Sequence, residues 1–213
     1  DGSKFNIGNR HEQESDMYVI NESHLYGIHD RLIPFFANAK IGVDIGAHIG
    51  TFSVFAARRS PAKIYAVEPT PITRKELEKN ITLNNYQNKI IPVPFAISDV
   101  SGKKSLSVAT DRGLSTFHPS EHFADRYEDK GSLLDVTEKI EVDTLSLEDF
   151  FKKYQIDFCD FVKMDCEGEE YPIIYNTPAA VLQKIGAFSI EAHADTGQNI
   201  ETLKTALVSK GFE

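Results

Sequence analysis

One stretch limits what this chain can fold into more than any other: Ile41-Gly42-Val43-Asp44-Ile45-Gly46-Ala47-His48-Ile49-Gly50-Thr51-Phe52-Ser53. A short apolar run ends in an acid, passes through a glycine-spaced turn, and opens into an amphipathic segment that begins with a small hydroxyl residue. That order predicts a strand, a tight loop and a helix start. The run Ile41 to Ile45 is nearly continuous, as a strand covered on both faces requires. Glycine at the turn lets the backbone approach a ligand where a side chain would block it. Asp44, two residues before Gly46, argues against a phosphate in that turn, because a carboxylate repels an anion at such short range.

The pattern then repeats. Ile64-Tyr65-Ala66-Val67-Glu68-Pro69 is a second apolar run ending in an acid. Glu68 lies about twenty residues past the first glycine turn, where an acid at the next strand end can hold a ribose diol. A ligand with an adenosyl group, a cationic end and no phosphate satisfies both acids. S-adenosylmethionine, with its sulfonium and ammonium groups, is such a ligand. An NAD-dependent oxidoreductase would share the ribose contact. It prefers a Gly-x-Gly-x-x-Gly turn, a spacing that Gly46 to Gly50 lacks. A cofactor-binding module without catalysis is the other alternative.

At 213 residues the chain suits one α/β domain and is short for two. Residues 1–38 read as a polar entry segment and 39–213 as the ligand-binding domain. Met17 to Ile20 is expected to be a short strand and His29 to Asn38 a helix. Helices are expected over 51–58 and 71–85, and a third strand over 90–95, where Pro92 and Pro94 argue against a central position. Ser101 to Val108 reads as a turn and an alternating strand, a small β insertion. Residues 110–135 show no period and read as a mobile loop carrying His118 and His122. Lys139 to Val142 is a short strand. A helix capped by Ser146 runs to about Tyr154. Strands at 160–164 and 187–190, a helical stretch at 169–185 broken at Thr177-Pro178, and a helix over 199–209 close the pattern. Strands alternating with helices imply a doubly wound, mostly parallel sheet.

The net charge of −9 disfavours general binding to nucleic acid or an anionic membrane, although it leaves room for one local basic patch. Lys103, Lys104 and the other scattered basic residues read as a solvated surface. Cys159 and Cys166 match no metal or redox spacing and point to free thiols in a reducing, cytoplasmic setting. No apolar run approaches the roughly twenty residues of a membrane span.

Ligands in such sheets sit past the carboxyl ends of the strands. The expected cofactor site is therefore Asp44 with the turn residues Gly46, Ala47 and Gly50, then Glu68 and Pro69, then Ile97 and Ser98 with Asp99 near the adenine. His48 inside the turn reads as solvated. After the fourth strand come Asp165, Cys166, Glu167, Gly168, Glu169 and Glu170. Four acids in so short a run cost energy unless a cation or a helix start balances them. Glu169 and Glu170 are expected only to occupy a helix's first turn, whereas Asp165 and Glu167 precede it. After the fifth strand, Glu191 and His193 share a face and have the chemistry to orient and deprotonate a hydroxyl.

Val43 to Gly50, Ala66-Val67-Glu68-Pro69, Asn80-Ile81-Thr82-Leu83-Asn84, Ala96 to Asp99 with Gly102, and Val162 to Glu170 stand in one order. That order resembles the FkbM-type S-adenosylmethionine-dependent methyltransferases over roughly residues 40 to 195. Glu191 and His193 fit the family's closing Glu-x-His. The Asp-x-Glu-Gly-x-Glu block is the most specific part. The resemblance implies a Rossmann-like class I methyltransferase fold, cofactor roles for Asp44, Gly46, Glu68 and Ser98, and O-methylation of a sugar or small natural product. The acceptor would then be a small molecule or glycan. His48 stands where the family commonly has Asn, and the family's final antiparallel strands are expected to be missing from these 213 residues. The expected base is His193 with Glu191, and Asp165 bridges cofactor and acceptor. No metal is assigned. A variant in which Asp165, Glu191 and His193 hold Mg²⁺ is not favoured.

Overall fold

A computed structural model describes residues 2–7, 13–109, 114–118, 136–193 and 198–213. It separates into two compact units. The first comprises the chain up to Phe95 with Phe158–Met164 and Ile185–Ser189. The second comprises Ala96–Asp157, Asp165–Lys184 and the chain from Ile190 onward.

The first unit is built on a five-stranded sheet. Strand β1 is Ile41–Ile45, followed by helix α2 (Thr51–Arg59), β2 (Lys63–Val67), helix α3 (Pro71–Leu83) and β3 (Ile90–Val93); β7 (Phe161–Met164) and β8 (Phe188–Ile190) complete it. The order is β3-β2-β1-β7-β8. β1 pairs in parallel with β2 on one side and β7 on the other. The chain thus leaves β1 in one direction and returns on the other side, and the β1–β7 boundary is the switch point where doubly wound sheets bind ligands. β3 is an edge strand, which is where its proline is tolerated.

The core explains why these segments become these elements. β1 is buried at Gly42 to Ile45, and α2 is buried from Thr51 through Ala57. Phe52 and Phe55 of α2 stack within 6.2 Å of one another, and Phe36 lies 4.7 Å from Phe161 of β7. Each fully buried aromatic contributes roughly 1.5–3 kcal/mol. Gly42 makes room for this cluster: a Cβ there would stand 2.3 Å from Phe161 Cζ.

The N-terminal segments correct the sequence reading. Residues 17–20 lie inside helix α1 (Gln13–His24), not in a strand. The inward face of α1 is polar: Asp16 and Ser23, seven residues apart, are both buried. The hydrophobic period that announces a helix is therefore absent. Only Asp30–Phe35 of the expected 29–38 helix is helical, as a 3-10 turn.

The second unit holds the β insertion. β4 (Ala96–Ser98) pairs in parallel with β6 (Val136–Ser146), and β5 (Gly102–Ala109) pairs antiparallel with β6. β6 is longer than the four residues expected, and Ala96–Ser98, expected only to follow the third strand, is a short strand of its own. Helix α4 (Leu147–Tyr154) starts at Ser146, whose Oγ accepts the Asp149 amide at 3.1 Å as expected of a cap. Helices α5 (Glu170–Asn176) and α6 (Ala179–Leu182) flank the break at Thr177-Pro178, and α7 (Ile200–Ser209) follows. No helix among the described residues is long and apolar enough to cross a membrane.

Candidate functional site

In the first unit the β1–α2 turn and the end of β2 are bonded together. The Gly46 and Ala47 amides both donate to Val67 O, at 3.1 and 2.9 Å. The His48 amide donates to Glu68 Oε2 at 3.1 Å, and the Gly50 amide to Ala47 O at 2.8 Å. Four turn amides are thus satisfied within the protein. Gly46, His48 and Gly50 all have positive φ. Gly50, at +89°, is fixed by packing as well, since a Cβ there would stand 2.5 Å from Leu77 Cδ1. Asn80 of α3 donates to Ile49 O at 2.9 Å and pins the turn from above.

Asp44 is fully buried at the end of β1 and accepts from Ser53 Oγ at 2.6 Å. Lys163 of β7 stands 3.8 Å from its other oxygen and donates to Gly46 O at 3.2 Å. Lys163 therefore balances the Asp44 charge from inside the sheet. Sequence reasoning passed it over, although a lysine within the apolar run Phe161-Val162-Lys163-Met164 signals a buried partner. Glu68 is buried too. Burial pushes its carboxyl up to about 7, against the pull of amide bonds from Thr70 and His48 and the charge of Arg74. Pro69 is half-buried beside it, and its carbonyl accepts from Arg74 at 3.0 Å. His48 is not solvated: its side chain is 14% exposed and lies 3.8 Å from the buried Asp16.

In the second unit the run after β7 folds into a tight loop that its own helix holds. Glu170 is fully buried; Oε1 accepts the Cys166 amide at 2.7 Å and Oε2 the Gly168 amide at 2.9 Å. Glu167, at φ +52°, takes the strained conformation between them. His193 is 7% exposed, with Nδ1 3.1 Å from Glu170 Oε1. Its Nε2 faces Asp165, Glu167 and Glu191, each at 3.8 Å. Burial alone would lower the pKa of His193. The Glu170 bond and the charges of Glu167, Glu170 and Asp165 outweigh it and raise the ring to about 9. Asp165, Glu191 and His193, joined in the sequence reading, do come together, although Glu191 is mostly exposed. Ligand atoms of Asp165, Glu170 and His193 lie within 4.8 Å of one another, a spacing that one cation can span.

Glu169 does more than occupy a first turn. Buried, it accepts from Ser98 Oγ and, at 2.8 Å, from Lys104 Nζ, while His118 Nε2 lies 2.7 Å from its other oxygen. Lys104 also donates to Asp99 at 2.8 Å, so it is not a solvated lysine. The period-2 alternation that puts Lys104 on the face of the buried Leu106 and Val108 was the available signal. Thr116 donates to Glu167 O at 2.6 Å. Ile97 and Ser98 are both buried. His122 and most of the 110–135 loop lie outside the described residues. Cys159 and Cys166 are free thiols whose pKa values burial raises, which leaves neither poised as a nucleophile.

A family model described as the methyltransferase FkbM domain matches residues 44–208. Methyltransferase sdnD of Sordaria araneosa is 25% identical over 189 residues, covering 80% of this chain and 73% of that protein. AMB antimetabolite synthetase AmbE of Pseudomonas aeruginosa is 27% identical over 227 aligned positions, covering 92% of this chain but 10% of the synthetase. Among solved structures, precorrin 8W decarboxylase from Methanobacterium thermoautotrophicum aligns with a TM-score of 0.48 at 13% identity, over 89% of this chain and 73% of that one.

Proposed function

Because the chain belongs to the FkbM methyltransferase domain family, we propose that it binds S-adenosylmethionine and methylates a hydroxyl of a sugar or small natural product. The observation that carries the cofactor reading is the state of the turn. The Gly46, Ala47, His48 and Gly50 amides are spent on Val67 O, Glu68 and Ala47 O. A pyrophosphate needs free amides at this position, so NAD fits poorly. The buried Glu68 carboxyl at the end of β2 fits the ribose diol of a phosphate-free nucleoside instead, beside an Asp44 whose charge Lys163 already balances. Glu68 would take the ribose diol. Asp44 and the turn residues Gly46, Ala47 and Gly50 would shape the wall beside the cationic end, and Pro69, Ile97 and Ser98 would line the adenine. When bound, the cofactor supplies an activated methyl group, so the chain's own work is positioning and proton removal.

His193, Glu191 and Asp165 would handle the acceptor hydroxyl. A hydroxyl proton can pass to His193 Nε2 only where that nitrogen has lost its own proton. With the ring near pKa 9, this form is the minority at neutral pH. Turnover is therefore expected to climb about tenfold per pH unit toward pH 9. Replacing His193 by Ala should lower turnover with cofactor affinity nearly unchanged; equal loss of both would refute the role. Activity that survives a chelator would remove a metal-assisted variant.

The decisive test is calorimetric titration of the chain with S-adenosylhomocysteine, with NAD in parallel. The expected result is saturable binding of the former, weakened by Glu68→Ala, with no NAD binding that depends on Glu68. Binding should also release protons near pH 7, because a diol bonded to the Glu68 carboxylate favours its ionised form. Binding of NAD that Glu68→Ala abolishes, with none of S-adenosylhomocysteine, would move the chain to the oxidoreductase class. Binding of the homocysteine product without turnover on any acceptor would favour a non-catalytic module.

A further inference from the structure

The carboxyl ends of the strands do not exhaust the first unit. At the opposite, amino-terminal edge of the same sheet lies an open cleft of about 550 Å³, lined by the segment before β1, the start of β2 and the turn before β3. Lys40, Lys63 and Lys89 contribute to its wall, with Asn38 and Asn88. Among the described residues no acid lines it, in a chain that carries 32 acids against 23 lysines and arginines.

Backbone bonds tie the segments that carry these lysines together. The Lys63 amide donates to Lys40 O at 2.9 Å, and the Ile64 amide to Lys89 O at 2.8 Å. Neighbouring strands are about 4.8 Å apart, so the three residues span only about 10 Å of sheet edge. The nearby carboxylate of Asp160 is turned to the backbone, where its Oδ2 accepts the amides of Lys40 and Ile41 at 2.7 and 2.9 Å. Lys89 donates to Ala57 O in the last turn of α2, which leaves two of its three N–H groups. Among the described residues neither Lys40 nor Lys63 makes an ion pair.

From this juxtaposition we infer that the cleft is a binding site for a phosphate-bearing small anion, of the size of pyrophosphate or a nucleoside diphosphate. Lysine ammonium groups are point charges suited to phosphate oxygens. The volume is that of a small-molecule site. The site is separate from the β1–α2 turn, whose carboxylates and spent amides suit a ligand without phosphate. The two readings stand or fall independently.

The test is calorimetric titration with inorganic pyrophosphate and with ADP at low and high salt, alongside S-adenosylhomocysteine. The expected result is saturable binding of pyrophosphate that weakens with salt, and a loss of about tenfold or more in Lys63→Glu and again in Lys40→Glu. Both side chains are exposed, so melting temperature and S-adenosylhomocysteine binding should not change. Absence of saturable binding, or binding indifferent to both substitutions, would overturn the inference. So would a single-stranded oligonucleotide that binds through these lysines far more tightly than pyrophosphate, since the face would then recognise a polymer.

Discussion

Glu68 is a buried carboxyl whose pKa is raised, and that reverses the usual pH logic of an acid. In the unfolded chain it ionises near 4.5; in the fold, near 7. Its contribution to stability is thus fully present below about 4.5 and is lost as pH rises through 7, a swing of roughly 3 kcal/mol. Glu68→Gln should flatten the stability profile across that window and leave the variant the more stable at pH 8. Thermal melts at several pH values would check this, and an unchanged slope would sink the assignment. Legibility at this scale followed sequence distance. Asp44 and Glu68 could be found because each ends an apolar run. The partners that give them their character could not, because Lys163 meets Asp44 across 119 positions and Lys104 meets Glu169 across 65. No local pattern encodes such a meeting.

The elements that were readable are those whose inward faces are apolar. β1, α2 and β2 fall where the apolar runs and glycines put them, and the capped start of α4 at Ser146 was visible as well. Ser146→Ala should cost about 1 kcal/mol, the ordinary value of a lost N-cap, measured by urea unfolding. Helix α1 was misread because its buried positions are Asp16 and Ser23, and β4 drew no assignment because three residues carry no period. The start of α2 offers a sharper test. Gly50→Ala forces a side chain into a left-handed position and against Leu77, so about 1–3 kcal/mol should be lost. A cost within a few tenths would mean that the turn relaxes, and that its hydrogen bonds with β2 are weaker than their lengths suggest.

On the scale of the whole molecule, the shifted groups act in opposite directions. Asp99 and Glu169 have lowered pKa values. For Asp99 the bond from Lys104 leads; for Glu169 burial opposes the shift and is outweighed by the bonds from His118, Lys104 and Ser98. Both carboxylates stabilise the fold above their unfolded pKa values and cease to do so in acid. Glu68 and His193 are raised, so their contributions fade as pH climbs from 4.5 through 7 and from 6.5 through 9. Stability should therefore peak between about pH 4.5 and 6.5, where the net charge also nears zero at a pI of about 5.3. A melting temperature that rises steadily from pH 6 to 9 would contradict this. The interlock of the β1–α2 turn with β2 has a consequence for anyone recombining this domain with a relative. Two of the turn amides end on Val67 and a third on Glu68, so residues 44–53 are not a portable cassette. The Val67 acceptor is a backbone carbonyl that any host strand supplies, but a chimera that imports them into a host without an acid at position 68 strands the His48 amide. One that carries 41–70 as a block brings the lock together with its key.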